Sequence, residues 1–387
     1  MAFDTLVVGG GIGGLSLARE LVLRGLPVTV LERTPSLAPV GAGIIMNPNA
    51  MRVLEQNGLA EPVRARGWPY LARETHDHRG RRIAMRDYRR LYAAGRLSIG
   101  TLVHRAVLYE SLHQGVPSGI VRFGVRIRDM HAGPGGVRVT LHSGEALEGA
   151  LLVGADGIAS TVRARFFGPT APVYLGYRSH RFVVDNRDGI EHFLEFLGRG
   201  RRVGLVPIAR DRLYVWTTFN SRLESRAWAL ESPVALRACF AEFTDPRVRS
   251  AFAQVRSTED VLCTDIEELH QERWVDGRVV LLGDAAHALT PNMGQGAGMA
   301  MEDAAVLADE LAAAAHGDRS LDEALARYAS RRQPRVETVT RLSRVVGADG
   351  QRTGRLACWW RNRRLAREGR DVRAVEASLE RLLAHPI

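Results

Sequence analysis

The chain contains no lysine; all 53 of its basic residues are arginine. That absence excludes a Schiff-base lysine, a pyridoxal-phosphate lysine and a Walker A lysine. Cysteine is scarce as well. Cys239, Cys263 and Cys358 are odd in number and far apart, so neither a disulfide framework nor a CxxC metal or redox site is on offer, and a cytoplasmic location is expected. Aromatic residues make up only 6%, and the arginines are scattered among acids rather than clustered with aromatic platforms. The net charge of +10 therefore reads as compositional bias that attracts anionic nicotinamide nucleotides, with no nucleic-acid partner expected. No apolar run is long enough to span a bilayer, and the apolar N-terminus, which lacks a basic leader and is broken by glycines from Gly9, reads as a strand rather than a signal peptide. His76 and His78 flank Asp77 in an Arg-rich segment that reads as a solvated loop, not a metal site.

What is present is a globular composition, 45% hydrophobic and 25% charged over 387 residues, long enough for two connected domains. Residues 4–33, DTLVVGGGIGGLSLARELVLRGLPVTVLER, form a strand, turn, helix and strand. Gly9-x-Gly11-x-x-Gly14 supplies the tight turn, the close approach to a pyrophosphate and the helix-to-strand packing. Gly25 and Pro27 end the helix. Glu32, with Arg33 beside it, closes the second strand about 20 residues beyond the glycines, where an acid accepts hydrogen bonds from ribose hydroxyls. This unit predicts dinucleotide binding but does not separate FAD from NAD.

Further on, LLVGADGIASTVR (151–163) reads as a buried strand, a turn presenting Asp156 and a helix capped by Ser160 that carries Arg163. Asp156 either binds a nucleotide or only caps its turn. The stretch 277–303, GRVVLLGDAAHALTPNMGQGAGMAMED, pairs a buried strand with Gly283-Asp284 at its C-terminal edge. After His287, Pro291 and Asn292 come Gly294, Gly296, Ala297 and Gly298, where missing side chains let backbone N–H groups approach a ligand. A helix then begins, its positive end facing whatever Asp284 holds, so a sugar-like hydroxyl chain and a developing anion are accommodated side by side.

These three segments, in this order, resemble the para-hydroxybenzoate hydroxylase family of FAD-dependent monooxygenases. The resemblance implies an α/β fold: a Rossmann-like FAD-binding domain (1–70, 100–170 and 271–345), an inserted mostly antiparallel β-sheet substrate domain (71–99 and 171–270) and a C-terminal helical tail (346–387). It implies that Asp284 binds the FAD ribitol and that the helix N-terminus at Gly296–Gly298 stabilises negative charge on the flavin. By the same resemblance Gly43 lies beside the flavin, Arg105 contacts FAD, and Asp156 serves FAD and nicotinamide nucleotide. Arg202 and Tyr214 are candidates to orient substrate or flavin, although ordinary strand positions explain them equally well. Asn292 stands where some purine-hydroxylating members carry an acid, which weakens a purine substrate.

The activity implied is oxygen insertion from O2, with NADH or NADPH as transient co-substrate, through a flavin C4a-hydroperoxide, into an electron-rich phenol, pyridine or indole-type ring. Epoxidation of an alkene and flavin reduction without oxygen insertion are the alternatives, and a monomer or homodimer is expected. Several local readings complete the pass. Asn47–Gly58 is a helix with Pro48 first, and an amphipathic helix covers 101–112. Strands at 121–128 and 137–141 pair with each other. Ser320-x-x-Glu323 opens a helix that Pro334 kinks or ends. The Arg-rich tail is expected to pack Trp359 and Trp360 onto the body, with a membrane-surface helix as the alternative and no stable membrane association expected.

Overall fold

Short β-branched runs flanked by glycine become the strands of a central sheet in the computed structural model, which describes residues 3–36, 41–222 and 232–386. Its order is 275–276, 279–281, 151–154, 5–8, 28–31 and 121–122. All neighbours run parallel except the first pair. The strands Thr5–Val8 and Leu151–Gly154 are buried throughout, as continuous apolar runs in a sheet covered on both faces must be. The helix Ile12–Leu23 packs on the helix Gly296–His316. Crucially, the loops after residues 8, 31, 154 and 281 all leave the same C-terminal edge of this sheet, with the strand order reversing at Thr5–Val8.

A second sheet of seven strands has the order 262–268, 173–185, 212–220, 201–207, 193–197, 72–77 and 82–87. Side-chain alternation splits it cleanly. Phe182, Phe196, Val203, Leu205 and Val215 point to one face, where Leu236, Val248 and Phe252 from two short helices, Pro233–Cys239 and Pro246–Ala253, complete a core. The opposite face carries Val183, Tyr214 and Val206 in one register row and Arg181, Trp216, Gly204 and Glu195 in the next. That face looks toward the first sheet. A three-stranded sheet, 43–46, 101–104 and 68–69, lies between them.

Several local expectations are corrected. The helix expected over 101–112 begins only at Arg105, because Thr101–His104 is a strand paired with Gly43–Met46. Residues 121–122 pair with 28–31, and the meander partner of Gly136–Leu141 is Ile127–Gly133. Elsewhere, Ser232 caps the helix Pro233–Cys239 and Asp245 caps the helix Pro246–Ala253. His76 and Asp77 are buried in a strand end, not a solvated loop: Asp77 accepts the Arg79 and Arg81 N–H groups and so closes the turn, while His76 lies between Gly80 and Glu74.

The helix from Leu321 runs through Pro334 and past residue 346 to Gly350. Buried contacts on both sides of the proline, from Arg332, Arg335, Val336 and Val339, hold it together. Beyond it the helix Arg355–Glu368 buries Cys358 and Arg361, leaving Trp359 and Trp360 exposed rather than packed on the body. The next helix, Val372–Leu383, inserts Leu379 and Leu383 beside Tyr70, Tyr88 and Tyr214.

Candidate cofactor and substrate site

The four loops at the sheet edge build one cradle. In the first, a Cβ on Gly14 would lie 1.9 Å from the Gly9 carbonyl oxygen, and a Cβ on Gly9 would lie 2.4 Å from that of Ala155. Only bare backbone allows the helix and the neighbouring loop this approach. The Glu32 carboxylate closes the second loop, accepting the Gly10 N–H at 2.6 Å and the Thr34 N–H at 2.8 Å. Gly11 lies open toward Tyr109, and Arg33 is exposed beside Glu32.

In the third loop Asp156 is committed to local bonds. It accepts the Thr161 N–H at 2.7 Å, its hydroxyl at 2.9 Å and the Ser160 hydroxyl at 2.5 Å, which is the turn-capping alternative. Ser160 in turn accepts the Arg163 N–H at 2.9 Å. Arg163 then reaches across to the fourth loop, donating to the Ala285 carbonyl at 2.8 Å.

Asp284 opens the single-turn helix Asp284–His287 on that fourth loop. Its carboxylate is solvent-accessible but walled in by protein. That crowding lifts its carboxyl above the ordinary range, while His287 and Arg105 pull it back. Arg105, first residue of its helix, keeps a buried Nε without a partner among the described residues. Its backbone N–H donates to the Ala42 carbonyl at 2.9 Å, beside the Gly43 that meets Tyr214, and its charge opposes the rise that burial gives both the Tyr214 phenol and the Asp284 carboxyl.

Behind Asp284 runs a buried polar network. Asp303 accepts the Gly283 N–H at 3.1 Å, His287 Nε2 lies 2.6 Å away, and Arg332 Nε donates to it at 2.7 Å. Arg332 also donates to Glu302 at 2.7 Å, and Glu302 accepts from Asn49 at 2.7 Å. Asn49 and Gln295 exchange bonds of 2.9 and 3.2 Å, and Asn47 donates to the Gly294 carbonyl at 2.8 Å. The network thus sets the 294–298 loop against the segment 43–50. Gly296, Ala297 and Gly298 open their helix with no side-chain cap, so their N–H groups keep their bonding capacity for a ligand. Burial alone would raise the carboxyls of Glu302 and Asp303; the surrounding charges, His287 and Arg332 for Asp303 and Arg332 and Arg335 for Glu302, outweigh it and lower both.

Above this cradle stands the free face of the seven-stranded sheet. A Cβ on Gly43 would lie 2.4 Å from the Tyr214 ring, so the strand 43–46 and Tyr214 meet directly. Arg202 is wholly buried. Its guanidinium lies 5.4 Å over Trp216 and bonds to Thr218 at 3.1 Å, to Glu195 at 3.5 Å and to Asn292. Arg73 joins Glu195 at 2.6 Å. Pro291 opens the short turn that presents Asn292, and Asn292 also donates to Tyr177 at 2.9 Å. The structure therefore brings Tyr214 to the cradle, whereas Arg202 is held by Thr218 and Asn292 and shares Glu195 with Arg73. Beside Tyr214 lies a cavity of about 280 Å³, lined by Gly41, His104, Val183, Ile208 and Ala209 with Arg66, Arg212 and Asp260.

The donor set fits FAD. A glycine cradle that a Cβ would fill, an acid at the second strand end, the Asp284 carboxylate after the strand 279–281 with the unpartnered Nε of Arg105, and an uncapped helix start could receive its pyrophosphate, ribose, ribityl chain and ring in turn. Sequence reasoning missed Arg332, Asn49 and the bridging role of Asn292. One signal was present: Glu302-Asp303 inside an apolar helix is an acid pair that burial tolerates only with a cation.

Comparison with known proteins agrees. The family profile described as "FAD binding domain" matches residues 2–343. The chain is 36% identical to the aurachin C monooxygenase/isomerase of Stigmatella aurantiaca, over 92% of each. It is 34% identical to the 2-heptyl-3-hydroxy-4(1H)-quinolone synthase of Pseudomonas aeruginosa, again over 92% of each. The solved Klebsiella pneumoniae HpxO, complexed with FAD and uric acid, superposes with a TM-score of 0.88 at 27% identity, covering 99% of this chain and 97% of that one.

Proposed function

The chain belongs to the FAD-binding-domain family of aromatic monooxygenases, and we propose that the ring it oxidises is a 4-quinolone-type N-heteroaromatic carrying an apolar tail. FAD is its cofactor, and when bound it supplies O2 activation with electrons from NAD(P)H. The protein contributes position and field. Gly9–Gly14 would receive the pyrophosphate, Glu32 the ribose and Asp284 the ribityl hydroxyls. The N–H groups at Gly296–Gly298 would stabilise negative charge on the ring system. Tyr214 and the sheet around it exclude water from the reacting face.

The observation that carries the substrate class is the apolar character of the groups packed around Tyr214: Tyr70, Tyr88, Phe193, Val206, Leu379 and Leu383 form one buried cluster with it. A bicyclic ring with an aliphatic chain admitted on this side would meet no charged group among them. Arg202, the arginine buried deepest in this face, is committed to Glu195 and Asn292, which argues against a benzoate carboxylate there. The name of the 34%-identical relative specifies a 4(1H)-quinolone with a heptyl group, which supports the same class. Three cysteines without a disulfide support a reducing compartment, the cytoplasm. A monomer or a homodimer is the proposed assembly.

The test is anaerobic bleaching of the bound flavin by NADH and NADPH against a panel of 2-alkyl-4-quinolones, hydroxybenzoates, urate and indoles. An alkylquinolone should accelerate bleaching by orders of magnitude, with KM falling about fourfold per added methylene. Acceleration by urate or a benzoate instead would refute the substrate assignment.

A further inference from the structure

Seven arginines fall between residues 355 and 373, against only Glu368 and Asp371. Arg361 is turned inward, donating to the Gly198 carbonyl at 3.2 Å, and Arg364 is paired with Asp349 and Glu368. Arg355, Arg363, Arg367, Arg370 and Arg373 are exposed and have no carboxylate partner among the described residues. The acids of the following helix do not offset them, because Glu376 and Glu380 face Arg90 and Arg96 on the body.

Set among these cations are Leu356, Trp359 and Trp360, exposed by 77%, 47% and 59%. Positions 356, 359, 360 and 363 share one side of a helix. The two indoles meet edge to face with centroids 4.8 Å apart, and Arg363 lies 4.8 Å over Trp359. A cavity of about 350 Å³ opens beside Trp360, with Arg364 and Arg367 in its wall. The helix itself is anchored from behind by Cys358 and Arg361, so the surface is a fixed apolar wedge ringed by positive charge.

We propose that this face docks peripherally on an anionic phospholipid bilayer. Tryptophan partitions to the headgroup level, and an aliphatic side chain beside it reaches the acyl boundary. Arginines around the wedge are attracted by anionic headgroups. Leu356 offers no stacking plane to a nucleic-acid base, which favours lipid over a polynucleotide. No helix among the described residues is long and apolar enough to cross a membrane, so the contact is interfacial. The next helix carries Leu379 and Leu383 into the buried apolar cluster that contains Tyr214, linking the docking face to the seven-stranded sheet. The proposal stands whatever the substrate proves to be.

The experiment is flotation of the FAD-loaded enzyme with vesicles of phosphatidylcholine alone and of phosphatidylcholine with about a third phosphatidylglycerol, alongside tryptophan emission. Binding should require the anionic lipid, weaken with salt and shift the emission to the blue. The triple variant R363Q/R367Q/R370Q should lower the partition coefficient on the order of a hundredfold, about fivefold per arginine. W359S/W360S should abolish the blue shift; bound-flavin absorbance reports that each variant is folded. Equal binding to neutral vesicles, no binding to either, partitioning unchanged in the variants, or retention on a polyanion such as heparin without any vesicle binding would each overturn the proposal.

Discussion

Arg332 donates from Nε to Asp303 at 2.7 Å, and through that single bond the helix Leu321–Gly350 neutralises the carboxylate that holds the Gly283 N–H and His287. The loop that carries Asp284 is thus positioned from behind by a buried cation.

Removing that cation leaves Asp303 with only His287, and Glu302 with only Arg335, as its charged or ionisable partner in the interior. Arg332→Met should destabilise the protein by about 3–5 kcal/mol, the range for breaking a buried ion pair from one side. Chemical denaturation measures it, and a loss below about 1 kcal/mol would contradict the assigned role. Because Glu302 and Asp303 are both held below their ordinary range, their stabilisation is complete above the unfolded carboxylate pKa near 4. It is lost as the pH falls further toward their folded values.

A second pH dependence lies in the sheet. Burial, helped by Arg178, pushes His180 down to about 4, below the ordinary value near 6.5. The unfolded chain therefore binds this proton first. Stability should decline on the order of 2–3 kcal/mol as pH drops from about 6.5 to 4, and His180→Asn should flatten the decline. Denaturation midpoints at stepped pH check it; an unaltered slope in the variant would assign the proton elsewhere.

Asp284→Ala should raise the dissociation constant for FAD about ten- to a hundredfold, the value of hydrogen bonds to a charged acceptor. Asp284→Asn, which keeps an acceptor, should fall between. Titration of apoprotein by flavin fluorescence quenching reads both, and unchanged affinity in the alanine variant would remove Asp284 from the cofactor site.

Much of this architecture was legible in the chain because its signals are local. Gly9 to Glu32 declares a strand, turn, helix and strand within one stretch, and Gly283-Asp284 and Ser320-x-x-Glu323 do the same at their positions. What was not legible depends on distant partners. Thr101–His104 is a strand because residues 43–46 lie alongside, and 121–122 pair with 28–31 through contacts no window contains. Pro334 remains inside a helix because Arg332 and Arg335 are tied to Glu302. Arg202 was visible as a residue of interest, but its commitment to Asn292 spans 90 positions. Asp156 illustrates the converse: its motif is plain in the sequence, yet its oxygens serve Ser160 and Thr161.

Gly43 makes the steric fit of the site testable. A Cβ there would lie 2.4 Å from the Tyr214 ring, so Gly43→Ala should displace the tyrosine at a cost of about 1–3 kcal/mol. Catalytic efficiency should drop by about tenfold or more, and Gly43→Ala combined with Tyr214→Leu should recover part of it. A single variant with full kcat/KM would place Tyr214 outside the reacting space.

The most direct measurement is turnover of a 2-alkyl-4-quinolone under isotopically labelled O2 with the FAD-loaded enzyme and NAD(P)H. The proposed activity requires a product that has gained one labelled oxygen atom, formed in proportion to NAD(P)H consumed. Recovery of unchanged quinolone while all the reducing equivalents appear as hydrogen peroxide would contradict it.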